Sequence, residues 1–183
     1  MIIIDDFIQD ETLLNLINND KTFFTDVGKY TWWDGWWKSP ANTPKKQLAE
    51  YIWRYNSPDK SYDIEGFEYW TGVYGPDNQV QELGTHYDKD EEHYERTGEI
   101  IGPVVGTVFY PKNVPFKGGY LEIEHPDGVF ERIQAKYNRL IIFDAGGCLH
   151  RVTPVTEGIR YAIAINLWKH IPIAVQEGSM NIE

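Results

Sequence analysis

The chain has 183 residues, 42% of them hydrophobic, and a formal charge of −11 at neutral pH. That length suits one compact domain with a real core and is too short for two ordinary ones, while the acidic balance argues against a broad phosphate-binding surface, so no nucleic-acid partner is expected. Cys148 is the only cysteine, which excludes an internal disulfide, a thiolate zinc cluster or an iron–sulfur centre within the chain and leaves any metal to His and carboxylate ligands.

No apolar run approaches the roughly 20 residues of a membrane span, and Met1-Ile2-Ile3-Ile4 passes straight into Asp5 and Asp6 without a basic region or cleavage site. A cytoplasmic protein with no membrane partner is the expectation. Residues 1–65 read as a helical, aromatic support. Asp10 can cap a helix with Leu13, Leu14 and Ile17 on one face, and Thr43-Pro44 opens a second with Leu48, Tyr51, Ile52 and Tyr55 at helical spacing. Trp32, Trp33, Trp36 and Trp37 form an aromatic cluster that suits either a substrate groove or simple packing of this segment.

From Gly66 the pattern changes to short apolar runs broken by Gly, Pro, Asn and Asp. Strands are predicted at Gly66–Tyr74, Val80–Tyr87, Val104–Tyr110, Tyr120–Glu124, Val129–Gln134, Leu140–Asp144, Arg151–Val155 and Arg160–Trp168. With no helix-length periodic segment between them, such a series implies a sandwich or barrel over 66–170, followed by a tail at 171–183. All of it reads as a single domain, mainly β with N-terminal helices. In the last strand, alternation puts Arg160, Ala162, Ala164, Asn166 and Trp168 on one face and Tyr161, Ile163, Ile165 and Leu167 on the other. The second face is suited to rest on the N-terminal helices. The first carries a cation among small residues, as a strand lining a pocket for a small anion would.

His86-Tyr87-Asp88 places an imidazole and a carboxylate two residues apart, on one face if the backbone is extended. His150 would complete a two-His-one-carboxylate set, the arrangement that leaves adjacent coordination positions open. Arg160 follows one strand later, where its guanidinium offers a fixed fork for a bidentate carboxylate contact. His93, His125 and His170 lie outside this pattern and read as ordinary surface or core histidines; Cys148 reads as a small buried hydrophobe. Asp90, Glu91 and Glu92 suit either attraction of a basic substrate or, more simply, a solvated loop.

These segments, with Leu83-Gly84-Thr85 before His86, Val108-Phe109-Tyr110, Gly118-Gly119-Tyr120-Leu121, Leu140-Ile141-Ile142-Phe143-Asp144 and Gly158-Ile159-Arg160-Tyr161-Ala162-Ile163, occur in an order that resembles the iron(II)- and 2-oxoglutarate-dependent oxygenases, above all their prolyl-hydroxylase-like branch. The resemblance spans roughly Gly66 to Trp168. It implies a double-stranded β-helix, or jelly roll, with His86, Asp88 and His150 ligating Fe(II), Arg160 pairing with the distal carboxylate of 2-oxoglutarate, and Tyr110, with Tyr74 as a second candidate, assisting it. It further implies hydroxylation of an unactivated C–H bond, in a prolyl or other amino-acid side chain of a protein, peptide or small molecule, using O2, with release of succinate and CO2 and ascorbate as an assisting reductant. Monomer and homodimer both fit. The chain departs from the family where Pro111-Lys112 follows Tyr110 in place of a frequent Leu-Asn pair, and where Tyr120 replaces the Glu of Gly-Gly-Glu-Leu. Two other readings fit the same fold: a non-catalytic jelly-roll binding module, and a cupin-like metalloenzyme that does not use 2-oxoglutarate.

Overall fold

A computed structural model of the chain describes residues 1–56, 63–78 and 80–182. Residues 57–62 of the expected N-terminal support and the final residue of the expected tail lie outside these. In chain order the elements are β1 (Ile2–Ile4), α1 (Glu11–Asn19), β2 (Thr31–Trp33), α2 (Pro44–Glu50) with a wider π-helical continuation at Tyr51–Tyr55, β3 (Gly66–Tyr74) and β4 (Leu83–His86). Then follow α3 (Glu91–Thr97), β5 (Val105–Phe109), β6 (Phe116–Gly118), β7 (Leu121–Glu124), β8 (Phe130–Ile133), β9 (Leu140–Phe143), β10 (His150–Val152), β11 (Val155–Gly158), β12 (Arg160–Trp168), α4 (Ile173–Gln176) and β13 (Asn181–Ile182). None of the helices described is long and apolar enough to cross a membrane.

Both predicted helices form for the reasons their sequences suggest. The Asp10 carboxylate accepts from the backbone N–H of Thr12 at 2.8 Å and Leu13 at 3.3 Å, and Thr43 Oγ1 accepts from Lys46 N at 3.3 Å with Pro44 in the first turn. Each satisfies N–H groups that the helix itself leaves unpaired. Their apolar stripes, with Leu13, Ile17, Leu48 and Ile52, pack on Ile163, Ile165 and Leu167 of β12. All three β12 residues are essentially inaccessible, and each contributes roughly 1.5–3 kcal/mol by burial.

The strands form a seven-stranded sheet of order β1-β9-β5-β12-β3-β2-β13, a four-stranded sheet β4-β10-β7-β8 and the pair β11-β6. Leu121, Ile123 and Ile133 of the smaller sheet pack on Ile141, Phe143 and Ala162 of the larger, so the two face one another. The layers stay separate. No closed barrel forms among the described residues, and the architecture is a mixed-sheet core with N-terminal helices.

Several expectations shift. The first third is not purely helical, because β1 pairs with β9 and β2 with β3. Asp90-Glu91-Glu92 is not a loop: it opens α3, with Asp90 Oδ1 accepting from His93 N at 3.1 Å. The strand predicted over Arg151–Val155 divides into β10 and β11 at Pro154, which has no N–H to continue a ladder.

Asn138 ties the segment after β1 to the sheet. It adopts φ 55°, and its side chain accepts from Ile8 N at 2.9 Å and donates to Ile8 O at 3.1 Å, fully buried. An Asn138→Ala variant strands two buried backbone groups in a conformation alanine resists, and should lose about 2–4 kcal/mol in urea denaturation. A loss under about 1 kcal/mol would show that water replaces these bonds.

Candidate active site

The pairing of β3 with β12 sets out the pocket floor in rows. The register places Arg160 opposite Tyr74, Ala162 opposite Gly72, Ala164 opposite Trp70 and Asn166 opposite Glu68. Directly opposed residues share a face, so all eight side-chain positions look toward the smaller sheet. β5 widens two rows, with Val108 beside Ala164 and Gly106 beside Asn166.

Above this floor, antiparallel pairing of β4 and β10 sets His86 opposite His150, ring centroids 4.3 Å apart. Asp88, just past β4, is held to the larger sheet by its N–H to Ala145 O at 3.0 Å and by Asn166 Nδ2, which donates to Asp88 Oδ2 at 2.9 Å. Asp88 Oδ1 lies 3.3 Å from His86 Nε2 and 3.5 Å from His150 Nε2. One ligand atom from each of the three residues falls within 4.8 Å of the others.

The outer ring nitrogens decide what this cluster can hold. His86 Nδ1 is 2.7 Å from Gly84 O, and His150 Nδ1 is 3.0 Å from Cys148 O. A carbonyl can only accept, so each Nδ1 carries the proton and, in the neutral ring, each Nε2 turns its lone pair toward Asp88. Three electron-pair donors then converge on one point, which fits a divalent cation. Where the rings are instead protonated, burial still pushes the Asp88 carboxyl upward, but hydrogen bonds from His150, His86 and Asn166 outweigh it and hold the group well below the usual range. For His86, burial is likewise outweighed, by the Asp88 and Gly84 contacts, and the ring is shifted upward.

At the other end of the floor, Arg160 is 1% exposed. Its Nη2 donates to Tyr110 Oη at 3.2 Å, and its guanidinium lies 5.2 Å from the Tyr74 ring centroid and 5.0 Å from that of Tyr110. Its Nε has no hydrogen-bond partner. No carboxylate pairs with this cation among the described residues. Gly119, at φ 62°, lets the Gly118-Gly119 turn lie against it, since a Cβ there would sit 2.8 Å from Arg160 Cδ. The floor between Arg160 and the triad is Ala162, Ala164 and Gly72, and a cavity of about 40 Å³ remains there. It meets a larger one, of about 440 Å³, at His86, Asp88 and Trp70.

The sequence profile of the 2OG-Fe(II) oxygenase superfamily matches residues 70–168. The chain belongs to that superfamily. A two-His-one-carboxylate triad in a 2OG-Fe(II) oxygenase marks it as a metal-dependent oxygenase. Among solved structures it is similar to a prolyl hydroxylase from Trichoplax adhaerens, in complex with a hypoxia inducible factor oxygen degradation domain peptide, at 17% identity and TM-score 0.56, covering 92% of this chain and 83% of that one. It is also similar to a viral collagen prolyl hydroxylase from Paramecium Bursaria Chlorella virus-1 in complex with 2OG, at 20% identity and TM-score 0.51, covering 91% of this chain and 93% of that one. At these identities the likeness is one of fold: the mixed-sheet core and N-terminal helices resemble the double-stranded β-helix of the prolyl-hydroxylase-like branch. A prolyl-4-hydroxylase from Pseudomonas putida matches at 21% identity and TM-score 0.47 over 69% of this chain, which spans 62% of its length. No curated protein matches this oxygenase in sequence.

The residues singled out in the sequence fall into two groups. His86, Asp88 and His150 come together, as do Arg160, Tyr110 and Tyr74, and Asn166 joins the first group through Asp88. Trp168 instead donates from Nε1 to Glu68 Oε2 at 3.3 Å. The tryptophan cluster lines neither cavity: Trp33, Trp36 and Trp37 pack on Phe67, with ring centroids 5.4, 5.5 and 5.8 Å away. His125 pairs with Glu131, His93 lies beside Glu99, and His170 packs edge-on against Trp168. Burial pushes the Cys148 thiol upward, as expected of an unreactive group. Glu68, Trp70 and Tyr30 were missed. Glu68 and Trp70 were legible in principle, because β3 alternates Glu68, Trp70, Gly72, Tyr74 just as β12 does, and a Glu inside a strand with apolar neighbours is uncommon.

A buried guanidinium with no anion carries an uncompensated desolvation penalty. Arg160→Met, similar in volume, should therefore stabilise the ligand-free protein by about 1–3 kcal/mol in chemical denaturation. A net loss would mean that guanidinium stacking on Tyr74 and Tyr110 outweighs desolvation.

Proposed function

We propose that this oxygenase hydroxylates an unactivated C–H bond in an amino-acid side chain, prolyl or other, using Fe(II), 2-oxoglutarate and O2. The observation that carries this reading is the placement of one converging three-donor site and one buried, anion-less guanidinium on the same floor, with only small side chains between them. In this reading the two facing sheets are the two halves of a double-stranded β-helix, and the site lies between them.

His86, Asp88 and His150 would hold the iron, and Arg160 the distal carboxylate of 2-oxoglutarate. Together the bound metal and cosubstrate supply the oxidative chemistry, yielding succinate, CO2 and an oxygen atom for the substrate. The chain's own part is positional. Arg160 presents a fixed fork whose Nε is free to donate, and Tyr110 Oη, already its acceptor at 3.2 Å, can turn its proton toward the same carboxylate. Burial raises the Tyr74 hydroxyl despite the opposing charge of Arg160, so it remains a neutral donor there. Asn166 fixes Asp88 Oδ2 and leaves Oδ1 toward the two imidazoles. Phe143, edge-on to His150 at 5.0 Å, helps keep water from the inner cavity.

A non-catalytic module, or a metalloenzyme without 2-oxoglutarate, would leave Arg160 buried with nothing to bind. That speaks against both.

Purified protein with Fe(II), ascorbate and O2 should form succinate from 2-oxoglutarate slowly even without the prime substrate. His150→Ala should abolish this, and Arg160→Ala should raise the 2-oxoglutarate dissociation constant by about 100-fold in calorimetry, the weight of a buried charge-assisted pair. Absence of both turnover and 2-oxoglutarate binding in the parent protein would overturn the assignment. In a separate titration with Mn(II), Asn166→Ala should weaken metal binding by roughly 10-fold through loss of the Asp88 contact; unchanged affinity would show that Ala145 alone positions Asp88.

A further inference from the structure

The larger cavity holds a buried acid that the reading above does not use. Glu68 is 6% exposed and lies on the cavity wall, one row along from Trp70 and level with Asn166. Its partners are neutral: the Trp168 indole at 3.3 Å and the Asn166 amide. No Lys or Arg pairs with it among the described residues. The two lysines lining the cavity are engaged elsewhere, Lys29 with Asp26 and Lys89 with Glu91, each at 2.9 Å. The acidic run after the metal ligands is also accounted for. Asp90 caps α3 and accepts from Ile173 N at 2.8 Å, and Glu92 pairs with Arg96 at 3.0 Å.

Beside Glu68 stand two aromatic rings. Tyr30 and Trp70 both line the cavity, with centroids 4.9 Å apart and planes tilted by 50°. A buried carboxylate with two aromatic rings, in a cavity of about 440 Å³ that reaches His86 and Asp88, is the chemistry that recognises an organic cation. The aromatic quadrupoles attract the charge without hydrating it, and the carboxylate neutralises it. Burial, together with the charge of Asp88, pushes the Glu68 carboxyl up to about 8, so it gives its proton to solvent and becomes the carboxylate when a counter-charge arrives.

We infer that the substrate carries a protonated aliphatic amine, seated at Glu68 against Tyr30 and Trp70, so that a carbon of the same chain faces the metal triad. This rests on the hydroxylase reading for the fate of that carbon, but not for the binding itself. A neutral prolyl ring would offer Glu68 no counter-charge.

The test is therefore one of binding. The 183-residue chain loaded with Mn(II) is titrated calorimetrically with Nα-acetyl-lysine amide, with pentylamine and with the uncharged isostere Nα-acetyl-norleucine amide; Nα-acetyl-proline amide serves as the neutral alternative. At least one cationic probe should bind about tenfold more tightly than norleucine amide, and preference between the two would say whether the amine arrives with a peptide backbone. Glu68→Gln should remove that advantage. Tyr30→Ala, at a half-exposed position, should reduce it by about threefold. Equal or tighter binding of the neutral probes, persistence of the amine preference in Glu68→Gln, or no cationic binding up to about 10 mM would each overturn the inference. Mn(II) and 2-oxoglutarate binding, measured in parallel, report on the hydroxylase reading separately, so the two can fail independently.

Discussion

Everything in this protein hangs on one antiparallel pairing, the nine-residue register of Gly66–Tyr74 against Arg160–Trp168. Because side chains alternate along a strand, this pairing must bury apolar residues on one side and present its other side to the opposing sheet. Ile163, Ile165 and Leu167 meet the helices on the first side. The second then has to be the floor of a cavity, and its rows fix the spacing of Arg160, Tyr74, Trp70, Asn166 and Glu68. A slip of one residue would exchange the two faces and place Arg160 among leucines. The site's precision is thus inherited from the hydrophobic core.

The floor and the triad above it also sort three buried ionisable groups by the way each is compensated. Asp88 has its compensation within the protein, from two imidazoles and an amide. Arg160 has half, a phenol and two aromatic faces. Glu68 has only neutral donors. Buried ionic groups are stable in proportion to their partners, and Arg160 and Glu68 are left without an opposite charge among the described residues. The two lie at opposite ends of one face with the triad above it, which gives an elongated site a chemical polarity.

Much of this was legible from residues alone. The alternation of β12, the two-residue spacing of His86 and Asp88, and the caps at Asp10 and Thr43 are local signals, and each fixes local geometry. What escaped was set by distant partners. Ile2–Ile4 looks like an isolated apolar start until β9 supplies a ladder for it. Thr31–Trp33 reads as an aromatic cluster until β3 runs beside it. Asp90 resembled part of a solvated charge run, and only Ile173, far along the chain, reveals why it is buried. Glu68 gains its meaning only from the row it shares with Asn166, because the face it occupies is set by the pairing of β3 with β12.

The larger cavity is walled differently from its floor. Ser179, Met180 and Asn181 line it, and they are held by the single turn of α4 and by β13, whose two residues run parallel to β2. This wall shares no strand with the triad; it packs Ile171, Val175 and Met180 on Trp32 and Trp168, and its side-chain links include Asp90 to Ile173, Ser179 to Glu92, and Glu177 to Arg96. Change in that short segment can therefore redraw the shape of the entrance while the coordinating groups stay where the sheets put them. In the reading proposed above, the chemistry and the preference for charge are both built into the sheets and only the rim is left to vary in shape, so a new fit could arise without a new chemistry having to be built.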